Sequence, residues 1–123
     1  MSTTEKSPQH TDAERRSSSL SSTRNTPGNS PPVNLAYISY ERKDSAGKSP
    51  LVVHHGLFGC KENWKKVSKE INLISKRSVF AVDGRNHGES PHSSDMSLPL
   101  MARDISHFVN QIQLGKVSFM GKQ

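Results

Sequence analysis

Two short stretches hold the residues best suited to chemistry. They are His55-Gly56-Leu57-Phe58-Gly59, preceded by a second imidazole at His54, and Asp83-Gly84-Arg85-Asn86-His87-Gly88-Glu89-Ser90. A strand that ends in His-Gly and passes through a glycine-bearing loop into a helix can aim a backbone N–H at a developing oxyanion. Leu57, directly after His55-Gly56, would supply that N–H. The same pattern, with Gly56 and Gly59, also describes a tight strand-to-helix turn without chemistry. Ser90 is the only serine in either stretch, and Pro91 after it has no N–H to donate and does not suit a sharp nucleophile turn. His54, His55 and His87 read as hydrogen-bonded scaffold more readily than as catalytic bases. A metal site built from His54, His55, His87 and Asp83 has no supporting ligand spacing, so no metal is expected. His107 follows the polar side of a helix, and Cys60 reads as a buried thiol or an exposed bystander.

The elements that must position these stretches alternate between strand and helix. Val33, Leu35, Tyr37, Ile38 and Tyr40 form a β-branched and aromatic run that reads as an edge strand, ended by the charged turn from Glu41 to Gly47. Leu51-Val52-Val53-His54-His55 suits a strand buried on both faces of a parallel sheet. Trp64, Val67, Ile71 and Ile74 recur at helical spacing, which predicts an amphipathic helix over 62–75 with those four facing inward. Ser78-Val79-Phe80-Ala81-Val82 is a second buried strand. Leu98, Met101, Ile105, Phe108, Val109 and Ile112 outline a second helix that begins near Ser97, has Pro99 in its first turn and is closed by Gly115. Lys116 to Met120 is a third strand. This order implies βαβ units with a parallel sheet covered by helices. In such sheets ligands bind beyond the carboxyl ends of the strands, where both stretches lie.

Composition bounds the rest. Met1, Ala13 and Leu20 are the only apolar residues among the first 32, which hold eight Ser, five Thr and four Pro. Residues 1–32 are therefore expected to be a disordered tail and 33–123 the folding unit. A single cysteine excludes an internal disulfide scaffold. No apolar stretch approaches the roughly 18 residues of a membrane span, and no signal-type apolar core is present. A cytoplasmic or a mitochondrial location fits, the latter because Arg15, Arg16 and Arg24 sit in a Ser-rich setting. Glu5, Asp12 and Glu14 count against such a presequence. The net charge of +6 is spread over Lys61, Lys65, Lys66, Lys69, Lys76 and Arg77, among others. These read as a solvated helix face, so nucleic acid is not expected as a partner.

Taken together, H-G-L-F-G-x-x-x-N-W from His55, A-V-D-G-R-N-H-G-E-S-P from Ala81 and M-A-R-D-I-S-H-F from Met101 resemble the α/β-hydrolase fold family. The resemblance covers about residues 34–121, the first third of a catalytic domain. It implies a serine hydrolase of carboxylic or lipid esters that uses no cofactor. Leu57 then matches the oxyanion donor, His55, Gly56 and Gly59 its supporting turn, and Asp83, Arg85, His87, Gly88 and Ser90 a mainly structural loop. Gly121 aligns with the first glycine of the elbow G-x-S-x-G, but Gln123 stands where the serine belongs. The nucleophile, acid and histidine of a triad are thus missing from these residues, and the chain by itself is expected to be inactive. The alternative is a non-catalytic interaction protein that binds a protein partner or a chaperone through the open edge of its last strand.

Overall fold

The computed structural model describes residues 14–17, 30–45, 47–56 and 58–121. Its strands are β1 (Glu14–Ser17), β2 (Tyr37–Tyr40), β3 (Leu51–His54), β4 (Val79–Val82) and β5 (Ser118–Gly121). A 3-10 turn over Lys61–Trp64 leads into helix α1 (Lys65–Ser75), and helix α2 spans Leu98–Gln111. The five strands form one sheet in the order β1-β2-β4-β3-β5. β2 runs antiparallel to β1 and β4, while β3 lies parallel to β4 and β5. The parallel strands bring the ends of β3, β4 and β5 to one edge, because Val52 pairs with both Phe80 and Phe119.

The period of two along the strands divides the core between two faces. Val52, Phe80 and Val82 pack with Val33, Leu35 and Phe108 on the face covered by α2. Val53, Val79 and Ala81 pack with Trp64, Ile71 and Met120 on the face covered by α1. Because both faces are covered, β3 and β4 read as continuous apolar runs in the sequence. The rings of Phe108 on α2 and Tyr37 on β2 meet edge-on at 5.3 Å, which locks that helix over the sheet.

Four expectations are revised. β2 is an internal strand, because Glu14–Ser17 pairs on its outer side. The charges of that strand are engaged: Arg16 meets Glu62 at 2.6 Å and Lys65 meets Glu14 at 3.6 Å. Helix α1 begins at Lys65 and turns Ser68 and Asn72 inward, while Val67 and Ile74 are 45% and 78% exposed. The reason is Asn72, whose Nδ2 donates to the carbonyls of Tyr40 at 3.0 Å and Arg77 at 2.8 Å and so fixes the rotation of the helix. Finally, Lys61 is buried rather than part of a solvated face. Helix α2 starts as expected, with the Ser97 hydroxyl accepting from the Leu100 N–H at 3.3 Å and Pro in the first turn. Leu98, assigned above to its apolar stripe, is exposed.

Candidate functional site at the carboxyl ends of the strands

β3 delivers His54 and His55 to the edge of the sheet. Gly84, in the loop just after β4, donates its N–H to His55 Nε2 at 2.9 Å. A backbone N–H can only donate, so Nε2 accepts and the ring proton sits on Nδ1. Nδ1 in turn donates to the Gly56 carbonyl at 2.7 Å. Both nitrogens are occupied, which leaves His55 no capacity to act as a base. Burial pushes its pKa below the usual value and the charges of His54 and His87 add to that; the Gly56 carbonyl and Asp83 act in the opposite sense. His54 and His87 follow the same rule, donating from Nδ1 to the carbonyls of His55 at 2.7 Å and Arg85 at 2.8 Å. The three imidazoles lie in a row, His55 being 4.8 Å from each of the others.

The loop after β4 is organised by two buried ion pairs. Asp83 accepts at Oδ1 from the Lys61 N–H at 2.6 Å, and at Oδ2 from Lys61 Nζ at 2.7 Å and the Glu89 N–H at 2.8 Å. Lys61 Nζ also reaches Glu89 at 2.7 Å. Burial works against the Lys61 charge, but Asp83 and Glu89 outweigh it and its pKa rises above the usual value. Gly88 lies against the Asp83 carboxylate with φ +51°, and a Cβ there would sit 2.2 Å from Oδ2. Ser90 is buried; its hydroxyl donates to the Asp83 carbonyl at 2.7 Å and accepts from the Ala36 N–H at 2.9 Å, tying the loop to the residue just before β2.

The second pair joins Arg85 to Asp104 on α2, from Nε at 2.7 Å and from Nη2 at 2.9 Å. Both side chains are fully buried. Arg85 Nη1 donates to the Asp95 carbonyl at 2.8 Å, and Asp104 Oδ1 also accepts the Val33 N–H at 3.0 Å. Asp95 bonds the Ser30 hydroxyl through its own carboxylate. One guanidinium therefore holds the β4 loop, helix α2 and the segment before β2 together.

The structure brings His55, Gly56, Gly59, Asp83, Arg85, His87, Gly88 and Ser90 to one edge of the sheet. Leu57 lies outside the described residues. Asp83 turns to Lys61 and not to the imidazoles, and among the described residues no three His, Cys, Asp or Glu side chains converge as metal ligands. Sequence reasoning gave Lys61 and Asp104 no such roles. For Asp104 a signal was available: it falls four residues from both Leu100 and Phe108, in the middle of the inward face of α2. Lys61 offers none, since its partner lies 22 positions away.

A mixed sheet whose β4, β3 and β5 run parallel, flanked by helices, with a His-Gly turn after β3 and a buried aspartate after β4, defines the class. The chain belongs to the α/β-hydrolase fold family, whose pattern matches residues 49–122. Over 90 residues it is 39% identical to the sn-1-specific diacylglycerol lipase ABHD11 of Danio rerio, covering 73% of this chain and 28% of that protein. Over 89 residues it is 34% identical to a probable alcohol acetyltransferase of Saccharomyces cerevisiae, covering 68% of this chain and 26% of the relative. A solved marine microorganism esterase superposes with a TM-score of 0.63 at 32% identity, over 71% of this chain and 31% of its own. The chain thus spans about 30% of the length of these relatives. Among the described residues no helix is long and apolar enough to cross a membrane.

Proposed function

We propose that these residues build the oxyanion side of an acyl-transfer site that hydrolyses carboxylic esters, lipid esters among them, through a serine nucleophile. The observation that carries this reading is the His55 ring, fixed between the Gly56 carbonyl and the Gly84 N–H. It holds the turn immediately before Leu57, at the edge where a strand-end site of this fold lies. In that role the Leu57 N–H meets the negative oxygen of the tetrahedral intermediate, and His55 positions the turn without exchanging a proton. Ser90, sequestered between β2 and β4, is not the nucleophile. A polypeptide limited to these 123 residues is expected to be silent toward esters.

Two experiments test this. The 123-residue chain is incubated with a fluorophosphonate probe, and any labelled serine overturns the assignment of these residues to the oxyanion side alone. The same residues are then joined to the remaining sequence of the Danio rerio relative. The chimera is expected to hydrolyse p-nitrophenyl esters, and Leu57→Pro, which removes the N–H, to lower kcat by about 100- to 1,000-fold. Unchanged kcat in Leu57→Pro refutes the oxyanion role. A second reading, an interaction role, is favoured by β5, which ends the sheet and leaves Phe119 54% exposed. The two part on the chimera: hydrolysis supports the first, and its absence supports the second.

A further inference from the structure

Of Lys61, Lys65, Lys66, Lys69, Lys76 and Arg77, only Lys61 is buried, and the acyl-transfer chemistry proposed above gives it no part. Its carboxylate partner Asp83 is buried as well. Taking both charges out of water is costly, and well-packed apolar residues often replace such a pair without loss of stability. Stability therefore does not account for an ammonium at this place. The use left to the pair is to fix how the segments it joins are placed against each other.

Those segments are the turn after β3 and the loop after β4. Residues 55 and 61 enclose the turn, and each is fastened across the sheet edge. His55 Nε2 accepts the Gly84 N–H at 2.9 Å, while the Asp83 carboxylate accepts the Lys61 N–H at 2.6 Å and Lys61 Nζ at 2.7 Å. Consecutive residues of the β4 loop thus hold both ends of the segment, and between them the Gly59 N–H closes on the Gly56 carbonyl at 2.9 Å. Asp83 is itself immobilised. Its N–H donates to the Ala36 carbonyl at 2.9 Å, its carbonyl accepts the Ser90 hydroxyl at 2.7 Å, and Gly88 lies against its carboxylate. Lys61 Nζ also bonds Glu89 at 2.7 Å, and the Glu89 N–H returns to Asp83 at 2.8 Å, so one ammonium closes the far side of the β4 loop too. Every bond of this clamp lies between described residues and needs no further segment to form.

We propose that Lys61 is a positioning residue of the acyl-transfer site: its ammonium, acting through Asp83, sets where the turn after β3 stands against the end of β4. This rests on the ester reading above. In this role Lys61 touches no substrate and exchanges no proton. Loss of the ion pair loosens one end of the turn while His55 keeps the other, so the turn persists but is displaced. A displacement of about 1 Å is enough to lower a rate about 100-fold.

The test uses the chimera with the Danio rerio relative and p-nitrophenyl esters. Lys61→Met, assayed at a temperature where circular dichroism shows it folded, is expected to lower kcat about 10- to 100-fold and to leave KM within about twofold. Asp83→Asn, which keeps the shape and removes the charge, is expected to do the same, and the double variant to lose little more than either, because both remove the same bond. Lys61→Arg, whose guanidinium bonds carboxylates as a cation does, is expected to recover kcat to within about fivefold of wild type. A role in stability alone would lower the thermal midpoint and leave kcat as it was. Unchanged kcat in folded Lys61→Met, or losses that multiply in the double variant, overturn the assignment while the ester reading stands. Should Lys61→Met not fold, Asp83→Asn decides in its place, and unchanged kcat there overturns the assignment. A chimera with wild-type residues and no hydrolysis overturns the ester reading and the assignment with it.

Discussion

Replacing Asp104 by alanine strips the buried Arg85 guanidinium of the only carboxylate it hydrogen-bonds among the described residues. Two charge-assisted bonds, at 2.7 and 2.9 Å, disappear from a site where both side chains are fully buried. Leaving a buried charge without its partner costs about 3–5 kcal/mol. The Val33 N–H, which shares the same carboxylate at 3.0 Å, adds about 1–3 kcal/mol if it stays dry. With roughly ninety ordered residues at about 0.05–0.15 kcal/mol each, total stability lies between about 5 and 14 kcal/mol, so Asp104→Ala should consume much of it. The assay is urea unfolding followed by far-UV circular dichroism, with m-values compared. A double variant, Arg85→Leu with Asp104→Leu, separates the pair from the site. It removes both charges and returns apolar volume, so it should be more stable than Asp104→Ala despite carrying two changes. The reasoning is refuted if Asp104→Ala costs less than about 1 kcal/mol, or if the two leucine substitutions add within about 0.5 kcal/mol.

Gly88→Ala should lower the thermal midpoint far more than Gly47→Ala. Both glycines have positive φ, at +51° and +77°, but only at Gly88 does a Cβ meet another group, 2.2 Å from Asp83 Oδ2, whereas Gly47 has nothing within 4 Å. Gly47→Ala carries the left-handed penalty alone, about 1–2 kcal/mol, and equal losses in the two variants would refute crowding as the cause. Stability should also fall with acidity through His55. Its folded pKa is depressed below 6.5, chiefly by burial, so the unfolded chain binds a proton that the native chain rejects. The contribution is whole above about pH 6.5 and is lost as the pH falls toward the folded value, at no more than about 1.4 kcal/mol per pH unit. Urea titrations at pH 7.5, 6.5 and 5.5 should show this slope, and His55→Gln should flatten it; an equal slope in both proteins rules His55 out.

The alternation of strand and helix was legible because it depends on local apolar spacing. Val52 and Val53, or Phe80 and Ala81, are buried on opposite faces as a two-sided parallel sheet requires. The rotation of α1 was not legible. Val67 and Ile74 continue the apolar spacing of Trp64 and Ile71, but the inward positions are set by Asn72 reaching carbonyls at Tyr40 and Arg77, which no periodicity encodes. β1 escaped for a related reason. Glu14, Arg15 and Arg16 carry no apolar pattern, and what holds the strand is the ladder with β2 and ion pairs to Glu41, Glu62 and Lys65, the first two met by arginines on successive positions. In the candidate site the residue types were legible and their duties were not, because a charge in a glycine-rich loop looks the same whether it faces substrate or a buried partner.

That ambiguity has a physical resolution in this chain. Strand-end loops carry backbone amides and carbonyls into a region that the helices seal from water, and every buried polar group must find a partner. Aspartate, arginine, histidine and serine satisfy several backbone groups at once, so the residues that suit catalysis also suit bracing. What separates the two uses is spare capacity. Asp83 has three donors on its two oxygens, Arg85 two acceptor residues, His55 one partner on each nitrogen and Ser90 one bond in each direction. These bonds all close inside the fold, so each side chain braces the loop it belongs to. At this sheet edge the polar residues that first drew attention are the bracing, because their hydrogen bonds close inside the fold.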